Sequence, residues 1–346
     1  MPMPTPHENE EKDDFIDRCM GDNMMNEDYE DPAQRRAICE SQWDDDQEGN
    51  KASRFGGITE AIRQYPWAIL PATLEMIISA ARAGNREAIL AQGREGDARS
   101  EGFVAVLPLT GVISQRASLF QAMFGGTATE RWGRMFAQFM GDPQVRAVVI
   151  DTDSPGGMVY GVPELAKKIF EARGTKPIIA IANSLMASGA YWIASAADEI
   201  VVSPGAEIGS IGVLAVHADI SRALDKVGIT MSVMSAGKHK AEETEFAPLT
   251  DEARQAIQGR VDRYYQMFTK AVAQHRGVSA TAVRGGFGEG RVVGAEEAVS
   301  LGMADRVGTL DQTLVRLAGK YRASSPKVST VNREIEIFEL DKAGIV

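Results

Sequence analysis

The 346-residue sequence is poor in several groups whose scarcity already limits its function. It has two cysteines, Cys19 and Cys39, and four histidines. Two thiols cannot build a disulfide framework, and nothing in the composition points to an oxidising compartment. Cys19, Cys39 and His7 lack the paired spacing of a zinc site, so neither a metal nor a cofactor is expected. Positive charge is scarce too: 37 Lys plus Arg face 48 Asp plus Glu, a net charge of −11. A nucleic-acid binder needs a basic surface to neutralise phosphates, so that class is excluded. Long apolar runs are missing. The best candidate, YPWAILPATLEMIISAA (residues 65–81), contains Pro66, Pro71 and Glu75 and falls short of the ~20 apolar residues a bilayer crossing needs. The opening MPMPTPHENEEKDD is acidic and has no apolar core of the Sec type. The expectation is a soluble protein of the cytoplasm, without membrane or nucleic acid as partner.

What is present is a core. At 44% apolar and 25% charged residues the chain is no disordered protein, and its length suits one large α/β domain or two modest ones. The acidity is confined to one end. Residues 1–50 hold 16 acids and 4 bases, leaving 32 acids and 33 bases elsewhere. A like-charge block of this kind marks a solvated or interacting appendage. Within it Phe15, Ile16, Cys19 and Met20 recur at helical spacing, and a second short helix starts at Pro32 with Asp31 as its cap. The organisation expected is an acidic helical N-terminal extension over 1–50 and a helical lead-in with linker over 51–101. A catalytic body follows over 102–322, then a tail over 323–346. The stretches 44–50 and 92–101 are polar linkers, and REIEIFEL near the C-terminus could form one strand.

The body alternates strand and helix signals. FVAVLPLTGV (103–112) is β-rich with a break at Pro108, 128–140 is helical, and AVVID (147–151) resembles a buried parallel strand. Residues 162–172 are helical, PIIAIA (177–182) is a strand, 189–197 is a small-residue helix and EIVVS (199–203) is a strand. Residues 251–276 form a long amphipathic helix. The alternation predicts a parallel sheet with crossover helices.

Two strand ends carry unusual chemistry. AVVID runs into Thr152-Asp153-Ser154-Pro155-Gly156-Gly157, and PIIAIA runs into Asn183-Ser184-Leu185-Met186-Ala187-Ser188-Gly189. Sites gather at the carboxyl ends of strands in open α/β sheets, and glycines there let backbone N–H groups face a ligand. The pair suggests a serine nucleophile with an oxyanion hole of backbone donors. Each motif alone is more often an ordinary turn. Three serines compete. Ser195 sits two turns into the helix, where packing is its usual role, and Ser184 lacks a following glycine, which favours Ser188. The serine needs a base. His7 lies in the tail and His275 near the end of a long helix. His217 with Asp219 could complete a Ser-His-Asp set, and MSAGKHKA (234–241) offers Lys238 and Lys240 after an expected strand. A lysine serves as base only where burial or neighbours favour its neutral form.

Five motifs in order over residues 103–320 resemble the signal peptide peptidase A family of serine peptidases. They are DTDSPGG, SLMASGAYWIASAADEIVVSP, IGSIGV, SAGKHK and VVGAEEAVSLGMADRVGTLD. The resemblance implies an α/β fold of the ClpP/crotonase type with repeated ββα units, and a Ser-Lys dyad. Ser188 takes the nucleophile position and Lys240 that of general base. Ser210 falls where the family places a serine that orients the lysine. The Gly157 and Gly189 amides match the oxyanion hole, and Ser154, Pro155 and Gly156 lie where substrate binds as an added strand. One departure is Ala236-Gly237, with the extra basic residue Lys238, where the family often has Ser-Gly.

Within that family the chain resembles the soluble phage head-maturation proteases of the minor capsid protein C type. WAILP (67–71) is similar to a lead-in of that branch, and residues 15–43 to an element of phage head-assembly proteins. The implied role is limited proteolysis of scaffold, portal or capsid proteins inside a procapsid in the host cytoplasm, by a homo-oligomer. The 24 residues from Ala323 to Val346 are too few for a lambda-type scaffold region, which is expected elsewhere. The rivals are a cytoplasmic peptidase that degrades signal or other peptides and a non-catalytic assembly factor on the same fold. A crotonase-type acyl-CoA enzyme is a third, and it leaves the serine and the lysine unexplained.

Overall fold

The computed structural model describes residues 11–21, 31–33, 35–40, 43, 66–82, 98–101, 103–116 and 126–324. The chain divides into two compact units. One gathers Met1–Tyr65, Pro71–Ala91 and Ala215–Thr250, the other Pro66–Leu70, Gln92–Leu214 and Asp251–Val346. His7, the linker at 44–50, residues 92–97 of the second linker and the strand expected in REIEIFEL lie outside the described residues.

In the smaller unit, helix α1 (Lys12–Met20) buries Phe15, Ile16 and Cys19 on one face. Residues 32–33 and 35–40 are helical, and the Asp31 carboxylate caps them by accepting from the Ala33 N–H at 3.0 Å. Phe15, Ile16, Cys19 and Cys39 form a small buried cluster with Met20, Ile38 and Trp43 against it. At its centre Cys19 and Cys39 are joined as a disulfide. Two cysteines make no framework and the composition gave no sign of an oxidising compartment, yet the pair is bridged: two short helices bury little apolar area, and the cross-link supplies what the core cannot. The former membrane candidate splits at Pro71. Its second part is helix α2 (Pro71–Arg82), and among the described residues no helix is long and apolar enough to cross a membrane.

The larger unit opens with strand β1 (Trp67–Ile69). Next come β2 (Arg99–Glu101), β3 (Val104–Thr110), β4 (Ile113–Ser114), β5 (Thr127–Ala128) and helix α3 (Thr129–Gly141). They are followed by β6 (Ala147–Ser154), β7 (Gly156–Met158), helix α4 (Val162–Glu171), β8 (Ile178–Ala187) and helix α5 (Gly189–Ala194). Strands β9 (Glu199–Val202) and β10 (Glu207–Gly209), helix α6 (Asp251–Arg276), β11 (Val292–Gly294), β12 (Arg306–Val307) and helix α7 (Leu310–Ser324) follow, with further short helices at Ala280–Gly286 and Ala295–Ser300. The main sheet runs β11-β10-β8-β6-β3-β2, with β9 beside the first half of β8, and its centre is parallel. A small sheet runs β1-β7-β4-β5. The implied ββα repeat is present: β3 and β6 each enter the main sheet, β4 and β7 cross to the small one, and α3 and α4 return the chain.

Side-chain alternation divides the core. Ala105, Leu107, Val148, Ile150, Ala180 and Val202 face the cluster built with α3, α4, α5 and α6, whereas Val104, Val106, Val149, Ile181 and Val201 face Leu317 of α7. Two expectations need correction. β3 runs straight through Pro108, because β2 pairs only with Val104–Val106 and no ladder donor is needed on that side. The Pro108 carbonyl instead accepts from the Trp132 indole at 2.8 Å. Residues 99–101 are a strand and not linker.

Candidate active site

Strand β8 ends at Ala187 and α5 begins at Gly189, so Ser188 alone makes the turn. Its backbone stands at φ 54°, ψ −118°. Such a conformation costs a non-glycine residue about 1–3 kcal/mol and persists only where the surroundings enforce it. The enforcement is visible. The Ser188 N–H donates to Gly209 O at 2.7 Å, and its carbonyl accepts from the Trp192 N–H at 2.9 Å. Behind it Tyr191, Trp192 and Ile193 are fully buried, with the Tyr191 hydroxyl donating to Met303 O and Trp192 stacked on Phe268 at 4.5 Å. Arg173 donates to the carbonyls of Ser195, Ala196 and Ala197 at the C-terminal end of α5. The Ser188 hydroxyl is buried, 3.5 Å from Gly212 O.

The Ser154–Gly157 turn lies alongside. The buried Ser154 hydroxyl donates to Gly111 O at 2.6 Å and accepts from the Gly156 N–H at 3.2 Å. The hydroxyl therefore shapes the turn from inside. Gly156 has φ 93°, and a Cβ there would overlap Ala68 O and approach Gly189 N to 2.9 Å. A Cβ on Gly157 would overlap the Ile113 carbonyl. From Gly189 the same construction reaches Gly157 N at 3.6 Å, so the two glycines expected to donate meet beside Ser188. The Gly189 N–H opens a helix and has no acceptor within it.

Strand β10 delivers Ser210. Gly209 pairs with Ala187, so Ser210 follows in register with Ser188, and it shares the left-handed sign with φ 53°. Lys240 lies elsewhere in the division of the chain: it belongs to the smaller unit, in a run of turns, and is exposed. The strand expected before it does not form. Among the described residues no strand pairs with residues 229–234, and Val227, Ile229, Met231, Val233 and Met234 are exposed.

The rival constellations come apart. The His217 ring nitrogen Nε2 is 3.1 Å from Thr244 O, and the Asp219 carboxylate accepts from the N–H and hydroxyl of Ser221, so the two are not joined. Ser184 is exposed on the segment where β8 slips register against β6. Ser195 is buried, as packing predicts, but with a partner that spacing could not reveal: His275, 80 residues away, lies with Nδ1 2.8 Å from its hydroxyl. The hydroxyl donates to Trp192 O, so the imidazole is the donor in this pair and no base faces Ser195. Burial, and then the charge of Arg173, lower the His275 pKa to about 4. Among the described residues no cluster of three or more His, Cys, Asp or Glu stands at metal-binding geometry.

A positive-φ serine between a strand and a helix, with two glycine amides beside it, has the geometry of a nucleophile elbow facing backbone donors. Sequence comparison finds related proteins. Residues 171–323 match the model of peptidase family S49, a stretch that includes Ser188, Ser210 and Lys240. Capsid assembly protease C of Escherichia phage lambda is 32% identical over 240 residues, covering 66% of this chain and 54% of that protein. Head-tail preconnector protein GP5 of Enterobacteria phage P21 is 34% identical over 204 residues, covering 59% and 40%. The chain thus spans about half the length of the curated relatives it matches. Among solved structures, a membrane-bound stomatin-specific protease, 1510-N, aligns at 17% identity and TM-score 0.39 over 63% of this chain and 85% of that one.

Proposed function

We propose that the protein is a serine endopeptidase with a Ser188–Lys240 dyad that trims scaffold, portal or capsid proteins during phage head maturation. Ser188 Oγ attacks the substrate carbonyl carbon while the Lys240 amine takes its proton. The Gly157 and Gly189 N–H groups hold the oxyanion, and Ser210 orients the lysine. The amine leaves with the proton returned by Lys240, and water releases the acyl group by the reverse sequence. The substrate backbone lies along the turn of Pro155 and Gly156. The backbone strain at Ser188, held by Gly209 and Trp192 and set beside Gly157 and Gly189, is the observation that carries this reading. The similarity to the two phage proteins supports the biological setting. The exposed apolar run before Lys240 supports a homo-oligomer, in which a neighbour would also desolvate the lysine.

Cleavage of an unfolded capsid or scaffold substrate should fall by at least about 10³-fold in Ser188→Ala and in Lys240→Ala, with the fold intact. His217→Ala should retain activity. Loss in His217→Ala with retention in Lys240→Ala would overturn the dyad.

A further inference from the structure

β1 is short, and its position is informative. It pairs antiparallel with β7 in the register Trp67↔Met158, Ala68↔Gly157 and Ile69↔Gly156. The Val159 N–H donates to Pro66 O at 3.1 Å, and the Leu70 N–H donates to Pro155 O at 2.9 Å. Antiparallel ladders alternate bonded and non-bonded pairs, so the pair between these two, Ala68 with Gly157, is also a bonded one. The Gly157 N–H therefore donates to the Ala68 carbonyl. That amide is the one assigned above to the oxyanion hole. The same carbonyl oxygen fills the space of a Gly156 Cβ and lies 3.1 Å from that of Gly189. On its other edge β1 is bonded as well: Trp67 and Leu214 exchange hydrogen bonds of 2.8 and 2.9 Å. Leu214 lies four residues beyond Ser210 on the same strand end.

Residues 66–70 are thus an extended peptide held between two backbone edges that flank Ser188, with the Ala68 carbonyl on the Gly157 amide and close beside Gly189. Prolines bracket it at 66 and 71, which keeps it extended and prevents the ladder from growing. Trp67, Ala68 and Ile69 are buried, and Ala68, the smallest of them, stands at the crowded glycine turn. An ordinary edge strand needs none of these coincidences. We infer that residues 66–70 occupy in cis the cleft meant for substrate, with the Ala68 carbonyl where the scissile carbonyl of a substrate would lie. Accordingly the segment acts as a strap that substrate must displace. The peptides that displace it share its chemistry: extended, apolar, with a small residue before the bond to be cut. This deepens the peptidase reading and rests on it.

The test labels Ser188 of the full chain with a small activated phosphonate, whose phosphonyl oxygen needs the same glycine amides, and follows the rate by mass spectrometry. Ala68→Arg cannot fit a fully buried position, and Leu70→Pro removes the bond to Pro155 O. Both should label at least about tenfold faster than the parent protein, because the cleft-open population rises. A synthetic Pro66–Ala72 peptide should slow them again. Folded variants that label at the parent rate overturn the strap. A second measurement needs no variant: after phosphonylation of Ser188, the amides of Ala68 and Leu70 should exchange hydrogen at least about tenfold faster. Unchanged protection with Ser188 modified overturns the inference even if the variants do not fold. Absence of Ser188 labelling in every form overturns the peptidase reading itself, whereas labelling at an unchanged rate overturns the strap alone.

Discussion

Acid should destabilise the larger unit through one side chain, His275. The imidazole is buried between Ser195 and Phe170, with the Arg173 guanidinium bonded to its backbone carbonyl at 3.1 Å, and its pKa is lowered to about 4. In the unfolded chain the same group titrates near the ordinary ~6.5. Between these values the unfolded state holds the proton and the folded state does not, so each step down in pH favours unfolding. The stability associated with a neutral His275 is complete above about pH 6.5 and is lost as the pH falls towards about 4. Linkage over that interval gives a loss of about 2 kcal/mol between pH 7.5 and pH 5. Urea unfolding followed by tryptophan fluorescence can read it, since Trp67, Trp132 and Trp192 are all buried in this unit. The control is His275→Asn, which keeps a donor near the position of Nδ1 and cannot titrate. The parent protein should lose about 2 kcal/mol more than the variant across the interval. Equal pH dependence in the two proteins would show that His275 is not held neutral by its surroundings and would refute the reasoning.

Two further outcomes follow from local geometry. Gly157→Ala drives a methyl into the Ile113 carbonyl, so it should lower the stability of the larger unit by about 1–3 kcal/mol and slow the labelling of Ser188. Thermal melting and labelling rate together check it, and a variant with parent values for both would contradict the close packing of that turn. Reduction of Cys19–Cys39, or the double change to serine, removes a cross-link closing 20 residues. The helical pair at 12–40 should lose about 3 kcal/mol in the chain-entropy view. Amide exchange of Phe15 and Ile16 with and without reductant would measure the effect, and equal protection would show that the small apolar cluster suffices.

Much of the scaffold was legible because its signals are local. AVVID, PIIAIA and EIVVS are buried parallel strands with apolar side chains toward both faces, and a run of that kind has few alternatives. The helix at 251–276 matches its expected span because its apolar positions recur at helical spacing over seven turns. Asp31 was readable as a cap from the proline beside it. The errors came where distant chain decides. Pro108 is tolerated inside a strand because β2 stops at the residue opposite Val106, and nothing near Pro108 in the sequence says so. Residues 229–234 have the alternation of a strand, yet no neighbouring strand pairs with them among the described residues.

The sequence by itself determined the chemistry on offer: a double glycine after one strand, a serine followed by glycine after a later one, a second serine in GSIG and a lysine in SAGKHK. Residue types and local spacing suffice for that, because strand ends and turns are written in adjacent residues. Only the tertiary structure decided how those groups are held and what already lies upon them. The left-handed backbone of Ser188 depends on Gly209, 21 residues away, and the burial of Ser195 on His275, 80 residues away. The placement of WAIL against Gly156 and Gly157 joins segments about 90 residues apart. Hydrogen-bond register between strands has no local signature, so a lead-in and a catalytic turn become neighbours only when the small sheet closes.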